Sequence, residues 1–108
     1  DARVLSEEVF GPVLVVTVVD GVDEAFEAVN ASRFGLQAGI FTHNVQYAFS
    51  AFSELEVGGV IVGDVPSFRA DQMPYGGVKS SGVGREGVRA AMEDLSYEKT
   101  MVLTGIDL

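Results

Sequence analysis

Residues 22–62 read VDEAFEAVNASRFGLQAGIFTHNVQYAFSAFSELEVGGVIV, and the periods inside this stretch decide the fold class. Val22, Ala25, Phe26 and Val29 recur at i, i+3, i+4 and i+7 with Asp23, Glu24 and Glu27 on the other face, which predicts a surface helix stopped by Gly35. Gln37 to His43 predicts a short strand. Asn44 offers a side-chain oxygen to cap a second helix carrying Val45, Ala48, Phe49, Phe52 and Leu55, and Gly58 closes it. Gly59 to Val62 predicts another strand. Upstream, Pro12 to Val19 (PVLVVTVV) is β-branched and apolar on both faces, the pattern of a strand covered on two sides, and Asp20 and Gly21 break it. Two successive strand-helix-strand units imply right-handed crossovers and a parallel sheet, so the expected class is α/β.

Beyond Val62 the pattern lapses. Asp64 to Gly82 (DVPSFRADQMPYGGVKSSG) is 19 residues without a sustained period, carrying two prolines and three glycines, and irregular segments of that length in compact domains are usually functional or disordered. Its aromatics argue for order. Val88, Ala91, Met92 and Leu95 predict a third helix, and Lys99 to Thr104 (KTMVLT) alternates like an exposed strand.

Composition narrows the function. In 108 residues there are 7 basic and 16 acidic side chains, a net charge of −9, and the cations are scattered, which disfavours nucleic acid and anionic lipid as partners. The longest apolar stretch falls far short of the ~18 residues of a membrane-spanning helix. A chain of this length is expected to form one domain with a thin core. It has no cysteine, and therefore no disulfide, thiolate metal site or thiol nucleophile of its own. It opens at Asp1 with neither methionine nor a leader, which reads as a piece of a longer chain and not as a secretory precursor.

Several local patterns have two readings. Gly82 to Gly87 (GVGREG) matches the dinucleotide-binding G-x-G-x-x-G, but Lys79, Ser80 and Ser81 precede it where an apolar strand is required, so the glycines are expected to shape a loop and a helix start. His43, the single histidine, reads as a strand-end residue. Asn30-Ala31-Ser32 spells a glycosylation sequon and reads as a helix terminus. Asp20, Asp23, Glu24 and Glu27 lack the spacing of an EF-hand loop and read as a solvated helix face; no metal site is expected. Glu7 and Glu8 stand at the entrance to the first predicted strand, either as ordinary surface charge or as a carboxylate pair able to bind a diol or a cation.

Two motifs carry a resemblance. Glu7-Glu8-Val9-Phe10-Gly11-Pro12-Val13 resembles the E-E-x-F-G-P-V segment of NAD(P)-dependent aldehyde dehydrogenases, and Met73 to Gly87 (MPYGGVKSSGVGREG) resembles their P-F/Y-G-G-x-K-x-S-G-x-G-R-E-G stretch. The resemblance implies that residues 1–108 are the C-terminal part of such a catalytic domain, ending in an oligomerisation strand at about 99–104. The family's nucleophilic cysteine, general-base glutamate and Rossmann domain would lie upstream, so no catalytic residue is expected here. By the same match Glu8 accepts hydrogen bonds from the nicotinamide ribose hydroxyls and Phe10 lines the cofactor cleft. Phe68 and Tyr75 fall in the substrate-entrance loop, with Arg69 either reading an anionic substrate tail or pairing with Asp71 or Asp64. Where many relatives carry Asn after the third strand, this sequence has Gly63. The resemblance further implies a cytoplasmic homo-oligomer acting on a small aldehyde, with NAD or NADP bound by the full-length protein and not tightly by this chain alone. A non-catalytic α/β module working through self-association or partner binding is the alternative.

Overall fold

The computed structural model describes residues 2–107; Asp1, with the reading made of the chain's opening, and Leu108 lie outside the described residues. Three helices, α1 (Val22–Asn30), α2 (Val45–Glu54) and α3 (Val88–Asp94), alternate with β1 (Phe34–Gly35), β2 (Gln37–Ile40), β3 (Gly59–Val62) and β4 (Val78–Lys79). A 3-10 turn, Arg3–Leu5, precedes them.

The α/β class holds, and its centre is the β2-α2-β3 unit. β2 and β3 run parallel, with Gln37 opposite Gly59 and Ile40 opposite Val62, so α2 is the crossover that parallel pairing requires. α2 starts where the sequence predicts, because the Asn44 carboxamide oxygen accepts from the Gln46 amide at 2.9 Å and satisfies one orphan donor of the first turn. Ala51 of α2 is fully buried and Phe26 of α1 nearly so, and α2 packs on both β3 and α1. Gly58 marks a close approach: a Cβ there would collide with the Gly76 carbonyl. Gly63 has φ +83°, a left-handed backbone for which glycine and asparagine are the natural occupants, which gives the Asn-to-Gly departure a backbone reason.

Three sequence expectations are corrected. Pro12 to Val19 is not a buried strand: it adopts no regular element, and Leu14 is 86% exposed. A strand covered on two sides needs a hydrogen-bonding neighbour and two packed faces, and the pairs β1-β4 and β2-β3 supply neither to this segment. Lys99 to Thr104 likewise forms no strand, because no edge within the described residues pairs with it. The strand predicted to reach His43 stops at Ile40, opposite the end of its partner at Val62. The irregular segment also hides an element: β4 pairs antiparallel with β1, Phe34 opposite Lys79 and Gly35 opposite Val78.

The expected core is thinner than one domain normally holds. Among the described residues Phe26, Ala51 and Ala90 are the buried apolar ones, and the radius of gyration is 19.5 Å where about 13 Å is usual for 100 residues. Phe41, Phe49 and Phe52 face solvent. Apolar surface of this extent, with unpaired backbone in residues 14–19, favours association. The isolated chain is therefore expected to elute as dimers or larger species in size-exclusion chromatography with light scattering; a monomer at high concentration contradicts this. No helix among the described residues is long and apolar enough to cross a membrane.

Candidate functional site

The Glu7-Glu8 pair separates into two roles. Arg3 and Glu7 sit four residues apart across the 3-10 turn, and the guanidinium holds the Glu7 carboxylate in a two-pronged contact, Nε to Oε1 at 3.0 Å and Nη2 to Oε2 at 2.6 Å. The contact raises the Arg3 pKa above its ordinary value, against a smaller opposing effect of burial. Glu8 makes no ion pair with the described residues. Both glutamates border an open cavity of about 910 Å3 whose wall includes Phe34, Leu36, Gln37 and Ser81. Phe10 is not on that wall; it is 95% exposed, so within this chain it and Glu8 do not meet in one cleft.

The segment 64–82 brings two of its three predicted residues together. The Arg69 guanidinium lies 4.2 Å from the centre of the Tyr75 ring, a cation-π stack, and Nη1 reaches Glu86 Oε2 at 3.3 Å. Arg69 and Tyr75 line a smaller cavity of about 380 Å3 with Leu36, Gln37, Pro66 and Ser67. Phe68 is not on this wall, though its carbonyl accepts from Gln37 Nε2 at 3.5 Å. The structural partner of Arg69 is thus Glu86, not Asp71 or Asp64; the Asp64 carboxylate instead accepts from the Val65 amide at 2.7 Å. Glu86 arrives because its backbone forms an antiparallel bridge with Tyr75, beneath the same guanidinium. An exposed pair of this kind contributes little to stability, and one contact leaves most of the guanidinium's five donors free.

GVGREG opens α3: Gly87 is its N-cap, and the Arg85 amide donates to Asp94 Oδ2 at 2.9 Å. Only the two-residue β4 precedes these glycines, in agreement with a loop-shaping role. His43 is exposed, just beyond β2. Glu24 accepts from the Asp20 amide at 2.8 Å, part of a helix start, and no acidic or imidazole cluster able to hold a metal occurs among the described residues.

Sequence reasoning missed Lys79 and Asn30. Lys79 Nζ donates to the Asn30 carbonyl at 2.7 Å and the Ser32 carbonyl at 3.2 Å, and pairs with Glu56 at 2.7 Å. The Asn30 side chain donates to the Glu54 carbonyl and accepts from the Glu56 amide, each at 2.8 Å. These partners lie 23 to 49 positions apart, beyond the reach of any local pattern.

A sequence profile of the aldehyde dehydrogenase family matches residues 1–101. The chain belongs to the aldehyde dehydrogenase family. This aldehyde dehydrogenase chain is 48% identical over 103 residues to a 3-sulfolactaldehyde dehydrogenase from Priestia megaterium, covering 95% of the chain and 22% of the relative. It is 45% identical over 107 residues to a lactaldehyde dehydrogenase from Methanococcus maripaludis, covering 98% of the chain and 23% of the relative. Its fold superposes with a TM-score of 0.83 on the crystal structure of aldehyde dehydrogenase 21 from Physcomitrella patens in complex with the reaction product succinate, at 48% identity, covering 86% of this chain and 19% of that one. The chain spans about a fifth of the length of these relatives.

Proposed function

We propose that this chain is the C-terminal segment of an NAD(P)-dependent aldehyde dehydrogenase that oxidises a small aldehyde to its carboxylic acid. The observation that carries the reading is the family match over residues 1–101 by a chain one fifth as long as its relatives. In the intact protein Glu8 receives the nicotinamide ribose diol, Phe10 lines the cleft formed with the rest of the polypeptide, and Phe68, Arg69 and Tyr75 line the aldehyde entrance. The chemistry of Glu8 fits: its carboxylate borders a cavity without an ion-pair partner among the described residues, and two carboxylate oxygens match a vicinal diol through short charge-assisted bonds. The cofactor, when bound, supplies the hydride acceptor; the residues of this chain orient it and the aldehyde. A relative named for 3-sulfolactaldehyde and a neighbour solved with succinate support a polar or anionic tail on the substrate. The intact enzyme is a cytoplasmic homo-oligomer in this reading, with residues 99–104 pairing only once a second edge is present.

The test is aldehyde-dependent formation of NADH or NADPH by the intact protein, with Glu8→Gln beside it. The amide keeps the shape and removes the charge, so cofactor binding or hydride transfer is expected to weaken by about 1 to 3 kcal/mol. Full activity in the variant returns Glu8 to ordinary surface charge, and an inactive wild type removes the proposal.

A further inference from the structure

We infer that Lys79 is a positioning residue: its ammonium ties the foot of segment 64–82 to the C-terminal ends of α1 and α2, and thereby sets where the Arg69-Tyr75 wall stands. The inference rests on the reading of that segment as the aldehyde entrance.

Lys79 is the one non-glycine residue with positive φ among the described residues, at 53°. A left-handed backbone is unfavourable for a residue with a Cβ and persists where the surroundings over-determine it. The surroundings are on the side chain. An ammonium has three donors, and three oxygens receive them: the carbonyls of Asn30 and Ser32 and the carboxylate of Glu56. The side chain is only 23% exposed, which strengthens these contacts relative to a solvated pair.

The acceptors lie at the end of α1 and just beyond the ends of α1 and α2. Asn30 is the last residue of α1, which has no basic residue in its final turn, so Lys79 brings the positive charge that C-terminal carbonyls attract from 49 positions away. α2 also ends without a basic residue, and there the Asn30 side chain takes over, binding the Glu54 carbonyl and the Glu56 amide. Glu56 closes the ring through its pair with Lys79. Two helix termini and β4 are thus held by one set of contacts.

The tie extends along the backbone towards the wall. The Ser80 amide donates to the Arg33 carbonyl at 3.0 Å, and Ser81 Oγ accepts from the Gly35 amide at 2.9 Å. In the other direction the Gly76 carbonyl lies against Gly58, and Tyr75 is bridged to Glu86. From Tyr75 to Ser81 the chain is therefore fixed at successive positions, and Arg69 folds back onto Tyr75. Lys79 lines neither this wall's cavity nor the larger one, so any effect on substrate passes through the strap.

The experiment compares Lys79→Met, Lys79→Arg and Lys79→Gly in the intact protein by steady-state kinetics and by hydrogen-deuterium exchange. Lys79→Met is expected to raise the aldehyde KM about tenfold, the factor one charge-assisted hydrogen bond supplies, with kcat and the cofactor KM held within about twofold. Amide exchange should accelerate in residues 64–82 and not in β3. Lys79→Arg should recover most of both readouts, and Lys79→Gly, which relieves the backbone but lacks the ammonium, should behave like Lys79→Met. Wild-type KM and exchange in Lys79→Gly overturn the inference. So do equal losses for aldehyde and cofactor with faster exchange throughout. If Lys79→Met does not fold, Glu56→Gln should move the same two readouts in the same direction by a smaller factor, and no movement in either overturns it. An intact protein that oxidises no aldehyde defeats the proposed function, while exchange in residues 64–82 still decides the positioning role.

Discussion

The isolated 108-residue chain, mixed with NAD or NADP and a panel of aldehydes, is expected to form reduced cofactor no faster than buffer. Nucleophilic oxidation of an aldehyde requires a thiol or an equivalent group beside a base, and this sequence has no cysteine. Its one histidine is exposed beyond β2, and the described residues hold no cluster able to bind a metal in place of the missing nucleophile. Groups that act as a catalytic unit fail together: loss of the central members of such a unit costs on the order of 10^6 in kcat. A wall without a nucleophile is expected to fall below the detection limit of an absorbance assay. Turnover by a pure sample, surviving a second purification and absent from a mock preparation, would sink this expectation and the proposed division of labour with it.

What the sequence discloses depends on how local each interaction is. The Asn44 cap and the existence of α2 were legible because a cap and a helical period involve residues within a few positions of one another, but the face was not: Val45, Phe49 and Phe52 of the predicted apolar face are exposed and Ala51 is the residue buried. The β2-β3 pair was legible because one crossover joins its strands. Pro12 to Val19 shows the opposite case. Its apolar pattern is real, but a pattern states that a segment prefers cover without stating what covers it, and within this chain all its side chains but that of the half-buried Val19 remain exposed. β4 is two residues long and has no period to detect; it exists because Phe34 and Gly35 lie opposite. Glu8 was legible through its motif and Arg69 through the chemistry of a guanidinium near aromatics in an irregular segment, and the packing added what neither holds: Arg3 engages Glu7, and Glu86 occupies one side of Arg69. Lys79 sat inside the quoted motif, yet its three acceptors are contributed by α1, the turn after it, and the connection before β3, which only the folded chain brings together.

Arg69→Ala in the intact protein is expected to lower kcat/KM for aldehydes with an anionic tail by about 10- to 100-fold, the range of a hydrogen bond to a charged group, and for neutral aldehydes of equal length by only a few-fold. The geometry supports an asymmetric loss. The guanidinium lies over the Tyr75 ring, 4.2 Å from its centre, and it borders the 380 Å3 cavity with donors still free for a carboxylate, sulfonate or phosphonate. The competing view makes Arg69 a brace between Tyr75 and Glu86. Magnitudes separate the two: the Glu86 contact is a single one at 3.3 Å with both side chains substantially exposed, worth less than about 1 kcal/mol, too little to produce a large loss that depends on the substrate's charge. Arg69→Lys sharpens the comparison, since a lysine keeps the charge but neither stacks flat on Tyr75 nor offers the planar fork, and it should recover only part of the preference. Equal losses for charged and neutral aldehydes would make Arg69 a brace. If Phe68→Ala also leaves both rates unchanged, residues 64–82 have no part in choosing the substrate.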